Sequence, residues 1–316
     1  MKALVGYTGF VGSNLNIQTN FNAHFNSKNI RDAFGLEPEL LVYCGVKAEK
    51  YMANQNPEAD LAHIKDTMAN ISAIAPKKIV LISTIDVYPE PRGADEFTTP
   101  ELNAFDKNAY GKHRLMLETY VQEHFDALIV RLPALFGRGL KKNFVYDLSH
   151  PVPQKLSASL FKSLSERETA IEKAYTLDNT THFYILNGTY EYVPLLEAFE
   201  RQHFSPLHFT DSRAVFQFYP LERLWQDIEI ALKNHLKIIN LATEPVCVSE
   251  IHTRIMKKAY HNEKDLNFPQ YDLRTRFAAY YHSEKPEIKT KQDDFPYLMS
   301  KEAVLDSIEA FLRGGR

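Results

Sequence analysis

The sequence predicts a doubly wound α/β fold, a parallel sheet with helices on both faces and a smaller second lobe. A short apolar run near the start breaks at glycine, further apolar runs of strand length recur, and amphipathic helical segments separate them.

Lys2 to Val5 is continuously apolar after its lysine, as a strand buried on both faces should be. It runs into Gly6, Gly9 and Gly12, and then Ser13 to Gln18 reads as a short helix whose start lies near Phe10. With only 12 glycines among 316 residues, this spacing between strand and helix is a phosphate-cradling turn more readily than a packing turn. A second strand is expected at Asn22 to Phe25, and longer ones at Glu39 to Val46, Lys78 to Thr84 and Ala127 to Pro133. Between them, Leu61, Ile64, Met68, Ile71 and Ala75 keep three- and four-residue spacing along a helix from Asp60 to Ala75. Leu115, Leu117 and Val121 mark another from Tyr110 to His124. Such alternation places ligands at the carboxyl ends of the strands.

Beyond Gly137 the alternation stops. Pro151-Val152-Pro153, a polar helical stretch from Leu156 to Ala174 and an aromatic section from Tyr175 to Phe209 follow. The earlier pattern resumes with Phe216 to Tyr219, the helix Leu221 to His235 and the strand Lys237 to Leu241, and a last helix is expected from Lys301 to Arg313. The expected division is a first domain of residues 1–140 completed by about 211–250, and a second lobe of 141–210 and 251–316.

Hydrophobic residues at 44% and charged residues at 24% describe an ordinary globular chain, and no apolar stretch reaches the roughly 18 residues of a membrane-spanning helix. A net charge of −3 with scattered cations argues against nucleic acid as a partner and for a small molecule. Cys44 and Cys247 read as reduced thiols, and with no leader pattern the expected location is the cytoplasm. The histidines show no metal-ligand spacing, and no nucleophile-elbow motif occurs, so no metal is expected.

Several motifs then occur in order: Gly6-x-x-Gly9-x-x-Gly12, Ser83 to Tyr88 at a strand end, Asn108-Ala109-Tyr110-Gly111-Lys112-His113-Arg114 opening a helix, Arg131 to Gly137, Phe216 to Leu224, and Asn240 to Pro245. Together they resemble the extended short-chain dehydrogenase/reductase family, also called the NAD-dependent epimerase/dehydratase family. The early arrival of the strand at Glu39 is similar to its dTDP-4-dehydrorhamnose reductase branch, which reduces a 4-keto group of a sugar nucleotide.

The resemblance implies a Rossmann-type sheet and an NADP- or NAD-dependent oxidoreductase or epimerase acting on a nucleotide-linked sugar. Thr84, Tyr110 and Arg114 take the catalytic places, with Arg114 standing where the family has lysine. A cation one helical turn from Tyr110 is expected to draw its phenol, whose ordinary pKa is about 10, toward neutrality. The cofactor would meet Gly6, Thr8, Gly9, Phe10, Val11 and Gly12, then Asn26, Ser27 and Lys28, then Cys44 and Gly45, and Ser83, Tyr110, Arg114, Leu132 and Pro133. No acid follows the second strand while Lys28 and Arg31 do, which favours NADP slightly over NAD. Substrate contacts are expected from Asp86, Lys141, Lys142 and Asn143, and Ile85 in the place of an acid disfavours dehydration. A sensor or scaffold of the same fold with little turnover is the alternative that Arg114 raises.

The family's usual homodimer pairs the helices starting near Asp60 and Tyr110. Light scattering at micromolar concentration should therefore find about twice the chain mass, and a monomer alone would contradict this.

Overall fold

The computed structural model describes residues 1–105, 108–264, 266–282 and 295–314. The chain divides into two compact units, one of residues 1–140, 215–246 and 269–316 and one of residues 141–214 and 247–268. The sequence reading placed all of 251–316 in the second lobe. Residues from 269 onward instead return to the first unit because their backbone is bonded there. Val215 bridges Gln270, Arg92 bridges Asp272, and the amide of Leu298 donates to the Ala242 carbonyl at 2.8 Å.

The first unit contains, in chain order, β1 (Lys2–Val5), α1 (Phe10–Gln18), β2 (Ala23–Phe25), β3 (Leu40–Tyr43), α2 (Lys50–Gln55), α3 (Pro57–Ile74), β4 (Lys78–Thr84), α4 (Ala109–His124), β5 (Asp126–Leu132), α5 (Leu224–Lys233), β6 (Ile238–Asn240) and α6 (Lys301–Gly314). Six strands form one sheet in the order β6-β5-β4-β3-β1-β2, and every pairing is parallel. β1 is central to the reversal, since the chain goes to one side for β2 and to the other for β3; a ligand crevice opens at such a point. Between β2 and β3 the chain makes only a single 3₁₀ turn, Ile30–Ala33. That turn accounts for the early third strand seen in the sequence.

Local chemistry sets the element ends. Pro57 opens α3, the Asn56 side chain accepts from the Ala59 amide at 3.2 Å, and Ala75 ends it with φ 53°. This cap moves the start upstream of the expected Asp60. Leu156 lies in a short strand, Lys155–Ser157, and the helical stretch expected there is split into Ala158–Ser165 and Thr169–Ala174. These helices pack with Tyr192–Arg201 on a three-stranded antiparallel sheet, and Leu156, Ile171, Leu195 and Phe199 are among the buried residues of the second unit's own core.

A buried ion pair ties α4 to β5. Glu118 of α4 is wholly buried and accepts from Arg131 Nη2 at 2.6 Å and from Nε. Arg131 Nη1 donates to the Tyr88 hydroxyl oxygen at 2.6 Å. The β4–β5 register sets Ser83 beside Arg131, and Ser83 Oγ donates to Glu118 at 2.5 Å. Deleting one partner strands the other charge without water. Glu118→Ala should therefore cost about 3–5 kcal/mol of stability in chemical denaturation, far beyond the usual change at an exposed glutamate.

Candidate active site at the carboxyl ends of the sheet

The turn after β1 is shaped by backbone contacts. Gly6 has φ +89°, and a Cβ there would lie 2.7 Å from the Cys44 carbonyl carbon; one on Gly12 would lie 2.1 Å from the Gly6 oxygen. Both glycines let the turn press against the end of β3 and the first turn of α1. Gly9 serves differently. It caps α1 with no side-chain bond, no acid occupies the helix's first turn, and a Cβ would meet only the Gly6 oxygen, at 3.3 Å. Thr8 and Gly9 are exposed, and Phe10 and Val11 are half-buried. The helix start thus offers first-turn amides and its positive dipole end to an anion, a donor set that fits a diphosphate. Asn14 anchors α1 from behind, donating to the Arg138 carbonyl at 2.8 Å.

β2 ends at Phe25, and the loop beyond it is held by its own side chains. Asn26 accepts from the Lys28 amide at 2.9 Å, and Asn29 accepts from the Asn26 amide at 2.7 Å. Ser27 and Lys28 are left exposed. Cys44 and Gly45 follow β3, and burial pushes the Cys44 thiol well above its ordinary value, so it is no thiolate.

Tyr110 is brought to the end of β4 by a close approach. A Cβ on Gly111 would lie 2.0 Å from the Asp86 carbonyl oxygen, so the first turn of α4 rests directly on the chain after Thr84. Asn108 caps α4 by accepting from the Gly111 amide at 3.1 Å and also donates to that Asp86 carbonyl at 3.2 Å. Asn54 of α2 accepts from the Tyr110 amide at 3.0 Å. The Thr84 hydroxyl accepts from the Asp86 amide at 3.2 Å and lies close enough to the Tyr110 phenol to favour its ionised form.

Arg114 stacks on the same ring, its guanidinium carbon 3.9 Å from the ring centroid. Nη1 donates to Asp60 at 2.5 Å and Nη2 to the Lys47 carbonyl at 2.7 Å, while the buried Nε has no acceptor among the described residues. His113 lies 2.8 Å from the same Asp60 oxygen. Burial opposes the charge on Asp60, but Arg114 and His113 outweigh it and hold its carboxyl below the usual range.

The electrostatics correct one expectation. Burial pushes the Tyr110 phenol above its ordinary value and Asp86 adds to this, while Arg114, Thr84 and Lys50 pull it back without cancelling the rise. A cation on the ring's face does not bring this phenol to neutrality, and Tyr110 is protonated near pH 7.

The Ser83 hydroxyl is committed to Glu118 in the core, which leaves its backbone to meet a cofactor. Leu132 ends β5 beside Thr84, and Pro133 follows it. Asp86 is at the centre. Lys141, Lys142 and Asn143 open the second unit, where the Asn143 oxygen accepts from the Tyr146 amide at 3.2 Å. The sequence reading missed Lys50, Asn54, Asp60 and Tyr271. Lys50 donates to Asp86 at 2.6 Å, and Tyr271 donates to the same oxygen at 3.1 Å. α2 has too few residues to show a period, and Asp60 had only its place on a helix to mark it.

Among the described residues no helix is long and apolar enough to cross a membrane, and no three His, Cys, Asp or Glu side chains gather as metal ligands. No protein-family model and no curated protein matches the sequence. Solved structures do match. A dTDP-4-dehydrorhamnose reductase from Bacillus anthracis, determined with NADP, is 14% identical with a TM-score of 0.59, over 100% of this chain and 99% of that one. A UDP-glucose 4-epimerase from Thermotoga maritima, determined with UDP-glucose, is 14% identical with a TM-score of 0.58 over the same shares. A dTDP-4-dehydrorhamnose reductase from Yersinia enterocolitica is 11% identical with a TM-score of 0.60, over 98% of this chain and 99% of that one. The chain has the fold of these reductases and epimerases. At these identities the likeness is one of architecture, a Rossmann-type sheet with a second lobe.

Asp60 gives a test of the site's scaffold. Its native carboxyl is held low, so its contribution to stability is full above the ordinary carboxylate range and is lost as pH falls through the lowered native value. Asp60→Asn should lower stability at pH 7 and flatten the acid limb of a stability–pH profile. Gly111→Ala should push α4 off the Asp86 carbonyl, and a crystal structure should show Tyr110 separated from Thr84.

Proposed function

We propose that this protein is an NADP- or NAD-dependent oxidoreductase that reduces a carbonyl on a nucleotide-linked sugar, with Tyr110 as proton donor. The observation that carries the reading is the seating of Tyr110 beside Thr84 at the end of β4, where α4 rests on the Asp86 carbonyl, in the same unit as the open helix start after β1. The solved structures of similar fold, which include nucleotide-sugar reductases and epimerases, support it.

The first-turn amides from Phe10 to Gly12, with Thr8 and Gly9, would hold the coenzyme's diphosphate. Asn26, Ser27 and Lys28 would face the adenosine ribose, where an exposed lysine and no adjacent acid favour a 2′-phosphate and hence NADP. Cys44, Gly45, Leu132 and Pro133 would line the remaining path. When bound, the coenzyme supplies a hydride to the substrate's carbonyl carbon. Thr84 would donate to the carbonyl oxygen and polarise it, and Tyr110 would give its proton to that oxygen as negative charge develops there. A phenol kept protonated suits this direction better than the reverse, which begins with a base. The substrate's hydroxyls would meet Asp86.

One observation favours a second reading, a coenzyme-binding sensor or scaffold with little turnover. Arg114 is fastened to Asp60 and the Lys47 carbonyl rather than left to serve a ligand.

Calorimetric titration should show NADPH binding more tightly than NADH, and binding of neither would remove both readings. In a panel of nucleotide-linked keto sugars, Tyr110→Phe should keep coenzyme affinity within a few-fold and lower turnover by about 10² or more. Coenzyme binding with no turnover of any sugar would support the second reading.

A further inference from the structure

Three side chains from distant parts of the first unit converge beside Tyr110, and the proposed chemistry has no role for two of them. Lys50 lies on α2, Asp86 follows β4, and Tyr271 belongs to the returning segment after residue 268. Lys50 Nζ lies 2.6 Å from Asp86 Oδ1 and 3.5 Å from the Tyr271 hydroxyl oxygen, and Tyr271 donates to Asp86 Oδ1 at 3.1 Å. Lys50 and Asn54 stand four residues apart, on one face of α2. Asn54 is fastened to the Tyr110 amide, so the helix that seats Tyr110 also delivers Lys50.

When a phenol gives up its proton to a substrate oxygen, a phenolate remains, and a neighbouring carboxylate opposes that change while a cation assists it. The charged and titratable groups acting on Tyr110 are Arg114, Asp86 and Lys50. Behind Arg114 stand Asp60, His113 and His63, and beside Lys50 stands Tyr271. Arg114 has its own counter-ion in Asp60, with which it is buried. Asp86 is the anion that acts against Tyr110, and Lys50 is its ion-pair partner, half-exposed at 45% of its side chain.

We propose that Lys50 is a positioning residue for the Tyr110 proton: anchored by Tyr271, it neutralises Asp86 so that the phenol can give its proton away. The division of labour follows from the two sites. Arg114 is a fixed strut under the ring, and Lys50 is the cation within reach of water and substrate. Lys50 does not touch the reacting atoms in this scheme. Its effect runs through Asp86, whose negative charge it balances. The inference rests on the reading of Tyr110 as the proton donor, but its test needs neither coenzyme nor substrate.

The full-length chain is made with 3-chlorotyrosine at position 110, which ionises at lower pH than tyrosine, and its phenolate absorbance is titrated without ligand. Lys50→Met should weaken the ionisation constant by roughly threefold or more, and Lys50→Arg should leave it within about twofold. Adding Asp86→Asn to Lys50→Met should restore most of the loss, since the opposing anion is then gone. Tyr271→Phe, which keeps the ring, should shift the constant in the same direction as Lys50→Met by a smaller factor. A Lys50→Met shift under about twofold, or one that persists undiminished with Asp86→Asn, would overturn the proposal. Lys50 is exposed, so circular dichroism should show each Lys50 variant folded. The titration stands apart from the NADPH measurement, and failure of either one leaves the other intact.

Discussion

The contact on which the rest of the centre depends is between two stretches of backbone. The first turn of α4 lies against the Asp86 carbonyl at a distance that leaves no space for a side chain at position 111. Gly111 is therefore both a cost and a necessity: it weakens a helix start because its backbone loses more freedom on folding, and it lets the helix descend onto the strand end. Asn108 offsets the weakness by capping the helix and bonding the same carbonyl. Tyr110 and Thr84 meet as a result, and Asp86 is aimed at Lys50 and Tyr271.

The glycine turn after β1 repeats the logic at the other end of the crevice. Gly6 and Gly12 allow backbone to touch backbone, and Gly9 leaves an uncapped helix start open to a ligand. Two such approaches, beyond β1 and beyond β4, place an open helix start and a proton-bearing hydroxyl at the carboxyl ends of one sheet. The strands supply rigidity, the interior ones being mostly buried, and the residues that would carry chemistry sit at or just beyond their ends.

Arginine rather than lysine at position 114 decides the local electrostatics. A lysine ammonium is a compact charge on a flexible stem, whereas a guanidinium is a broad plane that stacks and forms several bonds at once. Here the plane lies on the Tyr110 ring and is satisfied by Asp60 and the Lys47 carbonyl, which makes it part of the packing. With its charge already matched, it does not overcome the burial of the phenol. A second cation near the site then has work to do.

The glycine spacing, the strand-end Thr84, the Tyr110 helix and the sheet's alternating pattern were legible because each is a local arrangement, enforced by backbone geometry or by a repeat of two or 3.6 residues. The sequence by itself thus determined the architecture, the crevice edge and the residues able to handle a proton. Only tertiary structure decided which way those residues face and what charges they feel. Ser83 and Thr84 are chemically alike neighbours, yet strand register sends one to Glu118 and helix docking gives the other to Tyr110. Asp60, Lys50 and Tyr271 reach the centre from elements far apart in the chain, and the proton affinity of Tyr110 depends on burial, a quantity that exists only once the chain has folded around it.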